Sequence, residues 1–589
     1  MGHIISKINI QNFKSIINQE FELSNFTPLV GYNNAGKSNI LEAIKWVLRK
    51  TSLSSSSFNN LTQPIVISAS IDGISEEILN NIDPAHRARI EPFLDNGTLT
   101  IKRIQSTPAQ TVAQIQLQVL DPNDNVTWQN NPAGIDNAIK DLFPEPIQIG
   151  AMENSEDDIS KSSSTSTIGK LLAEIIGPIE QQYGQQVNAA LSGLKEILDV
   201  EGINRAPELD TFDQQVNTKL DAFFPDIRVK VHIPTPEIKE IFKKGTIKVY
   251  ENFFPNAKDV SSLGHGAQRS IQMTLIRHLA DLKLEQQINR TTTLLLIDEP
   301  ELYLHPQAIE ILRNSLTILS SQGYQVIFTT HSPFMITQKD VANTILVRKN
   351  DLQGTYKRTT LKSAIPTIEN QAPHQLTLLY SLSNSSNILF SEKIIIAEGK
   401  TENKLIPVLI ETITSKTILH HKTALVKLDG SGNTKKTMQV LSTMDLPTKA
   451  IVDLDYAMKN GISEGYLQVN DPDIIACQNE LSNIASTNNI TIGADGWPSK
   501  NPNISAAEGF AILAQTPSVL HNIENICLKL QAHNIWVWKK GTIENHLNLQ
   551  GKNEAVWASF CNNLETRNLE TLLPNDYQEI ENCINWLLQ

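Results

Sequence analysis

Gly31-Tyr32-Asn33-Asn34-Ala35-Gly36-Lys37-Ser38 satisfies G-x-x-x-x-G-K-[ST] at each fixed position. That spacing suits a loop wrapped round phosphate oxygens. Gly31, Asn33, Asn34 and Gly36 let backbone amides curl round the phosphates, Lys37 brings charge to the outer ones, and the Ser38 hydroxyl can ligate magnesium. Far downstream, the apolar run Leu294-Leu295-Leu296-Ile297 ends in Asp298-Glu299. Asp298 suits holding the magnesium ion, and Glu299 suits orienting an attacking water. A further apolar stretch, Val326-Ile327-Phe328-Thr329-Thr330, delivers His331 to a position from which it can sense a terminal phosphate. A glycine turn or a surface acidic pair alone would be unremarkable; the strand-before, helix-after setting points to nucleotide hydrolysis.

A second set of groups follows. Ile394-Ile395-Ile396-Ala397 ends in Glu398, with Glu402 four residues on, where a strand-to-helix turn can bring both carboxylates to one side. After Leu425-Val426-Lys427-Leu428 comes the small-residue loop Asp429-Gly430-Ser431-Gly432-Asn433, a helix, and then Ala450-Ile451-Val452 leading to Asp453-Leu454-Asp455. Residues i and i+2 on a strand share a face, so Asp453 and Asp455 are expected to serve one cation cluster. Open parallel sheets gather ligands at the C-terminal ends of their strands, which would unite all four acids. Beyond them, Ile535-Trp536-Val537-Trp538 predicts a strand ending in Lys539-Lys540-Gly541-Thr542-Ile543-Glu544. Two readings stand side by side there: a basic turn before a helix, or a lysine (Lys540) for a scissile phosphate with Glu544 as an outer acid.

These groups need domains to hold them, and 589 residues exceed what one core usually organises. With 40% hydrophobic, 19% charged and 6% aromatic residues, the composition is that of a globular protein rather than a disordered or fibrous one. A net charge of −13 excludes a uniformly basic nucleic-acid coat but not a local basic groove. Cys477, Cys527, Cys561 and Cys583 are widely spaced with no C-x-x-C pair, which argues against a zinc site or disulfide framework. No apolar run has the length of a membrane helix and the first residues lack a signal-peptide core, so the cytoplasm is the expected compartment and no membrane partner is expected. The pattern predicts early strands, the phosphate loop, a helix over residues 38–49, and strands near 65–68 and 98–101. Residues 153–166, acidic and then serine-rich, read as a surface segment. Apolar residues at helical spacing make 168–225 a helical insertion that packs on the parent domain or dimerises, after which strands near 227–231 and 246–249 are expected. The expected divisions are 1–167 and 226–385 for the two parts of the nucleotide-hydrolysing domain, 168–225 for the insertion, and 386–589 for the carboxylate domain.

The Asn12-Phe13-Lys14-Ser15 entry, the phosphate loop and Asp298-Glu299-Pro300-Glu301 with His305-Pro306 behind it resemble the ABC-type ATPase heads of the SMC and RecF-like group. The order strand, acid, helix, strand, glycine loop, helix, strand and Asp-x-Asp resembles a Toprim domain. The fold class implied is α/β: an ABC-type head with a helical insertion, followed by a Toprim α/β domain. In such heads a signature loop completes the ATP site of a second protomer; its counterpart here is Ser261-Ser262-Leu263-Gly264-His265-Gly266-Ala267-Gln268-Arg269, nominating Ser262, Gly264 and Gly266. It departs from the usual Leu-Ser-Gly-Gly-Gln.

Head and Toprim domain together resemble the OLD family of nucleases, which includes antiviral effectors of Gabija and some retron systems. The resemblance implies a DNA endonuclease using two Mg2+ or Mn2+ ions, with Glu398, Glu402, Asp453 and Asp455 as ligands and ATP bound at the head. It further implies a homodimer or larger assembly and, in a defence system, a companion such as a retron reverse transcriptase with its DNA product. The competing expectation is an ATP-driven DNA-binding clamp or sensor without cleavage.

Overall fold

A computed structural model describes residues 2–143, 146–150, 167–234, 247–251, 254–285, 292–337, 339–364, 385–428 and 431–589. The expected surface segment at 153–166 and most of the expected domain boundary near 373–390 lie outside the described residues. The chain forms two compact units, one of residues 1–27 and 37–330, the other of residues 28–36 and 331–589.

In the first unit, strand Ile4–Phe13 alternates buried and partly exposed side chains along much of its length and pairs antiparallel with Ile16–Glu22 and Ile65–Asp72. Leu99–Gln105, Gln116–Leu120 and Trp128–Asn130 extend this meander. Period-two burial is what a sheet with one covered face produces. By contrast, Thr293–Ile297 and Tyr324–Thr330 are buried at every position and pair in parallel, with Ile147–Ile149 alongside. Continuous apolar runs of this kind belong to strands covered on both faces. Helix Lys37–Leu48 follows the phosphate loop and buries Ile40, Leu41, Ile44, Val47 and Leu48, the i, i+3, i+4 stripe of a core-facing helix. The helical insertion comprises Thr167–Leu198 and Pro207–Leu220. A strand stands at Lys248–Glu251, but residues 227–231, expected as a strand, run without regular structure; Asn217 and Asp213 side chains bond the backbone of Val229 and Val231 in place of a sheet partner.

In the second unit, Ile345 and Leu346 pair in parallel with Leu29 and Val30, and Ile345–Asn350 pairs antiparallel with Gly354–Lys357. A four-stranded, all-parallel sheet follows in the order Thr423–Lys427, Lys393–Ala397, Thr448–Val452, Ile535–Val537. Each strand feeds two cores in alternation. Ile394, Ile396, Ala450, Val452, Ile535 and Val537 join one cluster, whereas Ile395, Ile451 and Trp536 join the other. Helices Lys400–Thr414, Glu554–Thr566 and Tyr577–Leu588 line the second cluster around fully buried Trp538. Val30 and Leu346 belong to the first cluster, so the strand leading into the phosphate loop packs into the same core as the four-stranded sheet. No helix among the described residues is long and apolar enough to cross a membrane.

Candidate functional sites

At the nucleotide motif, helix Lys37–Leu48 begins at Lys37, which is buried, and Ser38 Oγ donates to Asp298 Oδ2 at 2.8 Å. Asp298 lies directly after the buried strand Thr293–Ile297, and its other oxygen accepts from Thr329 Oγ1 at 2.5 Å. A hydroxyl and a carboxylate held together in this way suit an octahedral magnesium ion that keeps several waters. The Glu299 amide donates to Thr329 Oγ1 at 3.0 Å, and Glu299 itself sits at φ 46°, in the left-handed region. Buried Arg269 clasps this turn, donating to the carbonyl oxygens of Asp298 (3.0 Å), Glu299 (3.2 Å) and Gly150 (3.0 Å). The guanidinium thus satisfies carbonyls of a strained backbone, linking helix His265–Glu285 to the turn at Glu299. The sequence quoted Arg269 as the last residue of the signature stretch without a role.

Of the nominated signature residues, Ser262 donates its hydroxyl to the Asp259 carbonyl at 2.7 Å, Gly264 faces open space and Gly266 lies against the Tyr303 carbonyl. In the second unit, Asn33 and Asn34 are exposed on the phosphate loop; Asn34 and Gly36 adopt φ of 64° and 98°, which Asn tolerates and Gly adopts without strain. His331 immediately follows strand Tyr324–Thr330.

The carboxylate site forms at the C-terminal ends of the parallel strands. Glu398 follows strand Lys393–Ala397, and its Oε2 accepts from the Asp453 amide at 3.2 Å. Glu402 is buried in the first turn of helix Lys400–Thr414. Asp453 and Asp455 do not share a strand face as the i, i+2 spacing predicts. Strand Thr448–Val452 stops one residue earlier, Asp453 stands at the N-cap position of helix Leu454–Met458 without a side-chain capping bond, and Asp455 lies in that helix's first turn. Short polar side chains at such a junction favour helix initiation over strand continuation. Glu544, in the first turn of Ile543–His546, accepts from Thr401 Oγ1 at 2.5 Å.

Electrostatics tie these acids together. Burial, reinforced by the charge of Asp455, pushes Glu398 up to about 7. Burial likewise pushes Glu402 up to about 7, with Glu544 adding to it. Asp453 is held well above the usual carboxylate range by burial and then by Glu402 and Glu398, and burial raises Asp455 as well. Burial is the largest cause for each, with neighbouring acids adding to it for Glu398, Glu402 and Asp453, and clustered perturbed carboxyls of this kind are typical of functional sites. Asp453 Oδ1 and Asp455 Oδ1 are buried without a hydrogen-bond partner among the described residues, a lack that a cation would satisfy. Among the described residues no three acidic, His or Cys side chains stand together closely enough to hold a metal ion by themselves.

Lys540, nominated for a scissile phosphate, instead places its ammonium on Asp576 at 2.7 Å. Its amide donates to His546 Nε2 at 3.2 Å, leaving His546 Nδ1–H to donate to Asp576 at 2.9 Å, so the three residues brace the turn after the last strand. Lys539 pairs with Glu579 and Glu524. The lysine that reaches the carboxylates is Lys552, 3.2 Å from Glu544 Oε2 and 3.9 Å from Asp453 Oδ2. Burial lowers the affinity of Lys552 for its proton, but Asp453 and Glu544 outweigh this and hold the ammonium above its ordinary range.

A phosphate loop with its acidic strand end, joined to acids at the ends of a parallel sheet, defines a nucleotide-hydrolysing protein with an appended metal-type carboxylate domain. Residues 4–102 and 93–336 match the AAA ATPase domain family, and residues 389–455 match the TOPRIM domain of overcoming lysogenization defect protein-like proteins. Over 598 aligned residues the chain is 37% identical to the Old nuclease of Escherichia phage P2, covering 99% of each. It is 22% identical to Endonuclease GajA of Bacillus cereus (69% of this chain, 68% of that one) and 22% identical to the OLD nuclease of Thermus scotoductus (67% and 72%). An SMC head bound to the C-winged helix domain of ScpA aligns with 61% of the chain at 16% identity and a TM-score of 0.35. The chain belongs to the OLD nuclease family, enzymes that join an ATPase domain to a Toprim domain.

Proposed function

We propose that the chain is an ATP-regulated, divalent-metal-dependent DNA endonuclease that assembles through its ATPase domains and acts in defence against phage. The observation that carries the reading is the convergence of Glu398, Glu402, Asp453 and Asp455 at the strand ends, with two aspartate oxygens unpartnered and Lys552 beside them. Mg2+ or Mn2+, when bound, would activate water and neutralise charge on the phosphate and leaving oxygen. Glu398, Glu402, Asp453 and Asp455 would hold the ions. Glu544, steadied by Thr401, would hold Lys552 in place, and the Lys552 ammonium would meet the negative charge that builds on the scissile phosphate. At the nucleotide motif, Lys37 would bind the outer phosphates, Ser38 and Asp298 magnesium, and Glu299 the attacking water. The defence role and a companion protein rest on the resemblance to Gabija and retron effectors.

The test is incubation of supercoiled plasmid with the full chain and Mg2+ or Mn2+. Cleavage is expected, and Asp453→Ala should slow it at least about 100-fold, the scale on which metal-site support is lost, while ATP turnover stays within about twofold. Intact ATP turnover with no cleavage under any nucleotide or metal condition would overturn the reading and leave the clamp or sensor in its place.

A further inference from the structure

The phosphate loop carries one side chain that faces the Toprim fold instead of a nucleotide. Tyr32 lies with the Arg348 guanidinium 4.9 Å and the Lys422 ammonium 4.9 Å from its ring centre, within the range of a cation–π contact. Both cations connect to one place. Lys422 pairs with Glu392 at 3.4 Å, and its carbonyl accepts from the Glu392 amide at 2.8 Å. Arg348 Nη2 donates to the Ser391 carbonyl at 3.2 Å. Burial and then the Glu392 charge raise the Tyr32 hydroxyl above its ordinary range, with Arg348 and Arg358 opposing them.

Ser391 and Glu392 immediately precede strand Lys393–Ala397, which ends at Glu398. The loop is seated on the same unit at two further points. A side chain at Gly31 would come within 2.3 Å of the Val347 carbonyl, so the backbones are in close approach. Thr355 Oγ1 donates to the Ala35 carbonyl at 2.8 Å, and the Ala35 amide donates to the Tyr32 carbonyl at 3.1 Å. A shift of this loop therefore has no slack before it reaches Arg348, Lys422 and residues 391–392. The strand beyond them is short, rigidly hydrogen-bonded on both sides, and tipped by one of the candidate metal ligands.

We propose that Tyr32 is a positioning residue for the nuclease: its contact with Arg348 and Lys422 relays the occupancy of the phosphate loop to the root of the strand that presents Glu398. The inference rests on the reading of the chain as an ATP-regulated nuclease and names the route of that regulation. Phosphate binding draws the loop backbone towards the nucleotide, and the ring moves with it. The two cations follow the ring or lose it, and in either case the Ser391 and Glu392 contacts change.

The experiment uses the full chain and three readings: affinity for a fluorescent ATP analogue, plasmid cleavage with Mn2+ and no nucleotide, and cleavage with a non-hydrolysable ATP analogue. Coupling between sites typically amounts to roughly 5- to 150-fold. For Lys422→Met, on the protein surface, analogue affinity and nucleotide-free cleavage should stay within about twofold of wild type, whereas the ratio of cleavage with and without analogue should fall to about one. Tyr32→Phe, which keeps the ring, should preserve the wild-type ratio, and Tyr32→Leu should lose it. If Lys422→Met retains the wild-type ratio, the relay is overturned while nucleotide regulation stands, and the same variant decides the matter if Tyr32→Leu binds nucleotide poorly. A wild type that cuts equally with and without nucleotide sinks the regulation itself and this inference with it.

Discussion

Lys552 shows how a single charge can organise several others. Its ammonium lies 3.2 Å from Glu544 and 3.9 Å from Asp453, beside three further acids, Glu398, Glu402 and Asp455. Replacing it with methionine keeps the unbranched apolar stem and removes the ammonium with its charge. We expect Lys552→Met to slow plasmid cleavage roughly 100- to 1,000-fold, the effect of losing one preorganised group opposite developing charge. Lys552→Arg should recover only part of the rate, because a planar fork replaces a compact point charge. Cleavage rates at saturating Mn2+ beside unchanged ATP turnover check this; wild-type cleavage by Lys552→Met would remove the residue from the site. Nothing in the sequence pointed to Lys552. It sits in the polar stretch between helices Ile543–His546 and Glu554–Thr566, with no periodicity or motif around it, whereas Lys539 and Lys540 stood conspicuously at a strand end. Strand-end position is a local property; which ammonium faces an acid depends on how distant turns fold back.

At the scale of elements, the first unit ties strand Ile4–Phe13 and helix Ile135–Leu142 together through buried polar groups that answer to pH. His3 Nε2 bonds the Leu142 carbonyl at 2.8 Å, and the ring packs edge-on to Phe143; burial lowers His3 to about 4. Burial alone would raise Asp136, but fully buried Arg103 and then Lys50 outweigh it and hold the carboxyl at about 2. The signs agree. The unfolded chain protonates His3 near 6.5 and the folded one near 4, so stability drains away as pH falls through that window, and Asp136 withdraws its share between about 4 and 2. The acids around Glu398 act in the opposite sense over the same window but equally in both proteins, so we expect the advantage of wild type over His3→Gln in thermal midpoint to shrink as pH falls from 6.5 to 4; parallel curves would show that His3 is not responsible. Strands and helices of this kind were legible where an unbroken apolar run or one period dominated, as in Leu294–Ile297 and the stripe after Lys37. The Asp453-Leu454-Asp455 triplet was misleading for a physical reason: two-residue spacing fits a strand face, but it says nothing of where the ladder ends, and here the strand stops at Val452 and a helix starts at Leu454. Residues 227–231 failed similarly, because apolar alternation supplies no partner strand and side-chain amide and carboxylate groups satisfied that backbone instead.

For the whole molecule, the Glu299 turn that Arg269 clasps is where the proposed assembly can be tested. Glu299→Gln keeps the shape of the side chain and removes its capacity to act on water. We expect it to bind ATP normally, to slow hydrolysis at least about 100-fold, and to shift the chain towards a dimer or larger assembly when ATP is present. Light scattering coupled to gel filtration with ATP, ADP and no nucleotide measures this; an ATP-independent mass would refute assembly through the heads. A separate consequence concerns dissection of the chain. Residues 28–36 belong to the second unit although some 300 residues separate them from the rest of it, and Leu29 and Val30 complete the pairing of Ile345 and Leu346. A fragment starting at residue 331 would leave that strand's backbone unpaired along one side, an invitation to strand-to-strand aggregation. A soluble Toprim fragment has to start beyond strand Gly354–Lys357, close to residue 385, and such a fragment loses Tyr32 and Arg348 by construction. Its cleavage would report the catalytic centre stripped of any response to nucleotide.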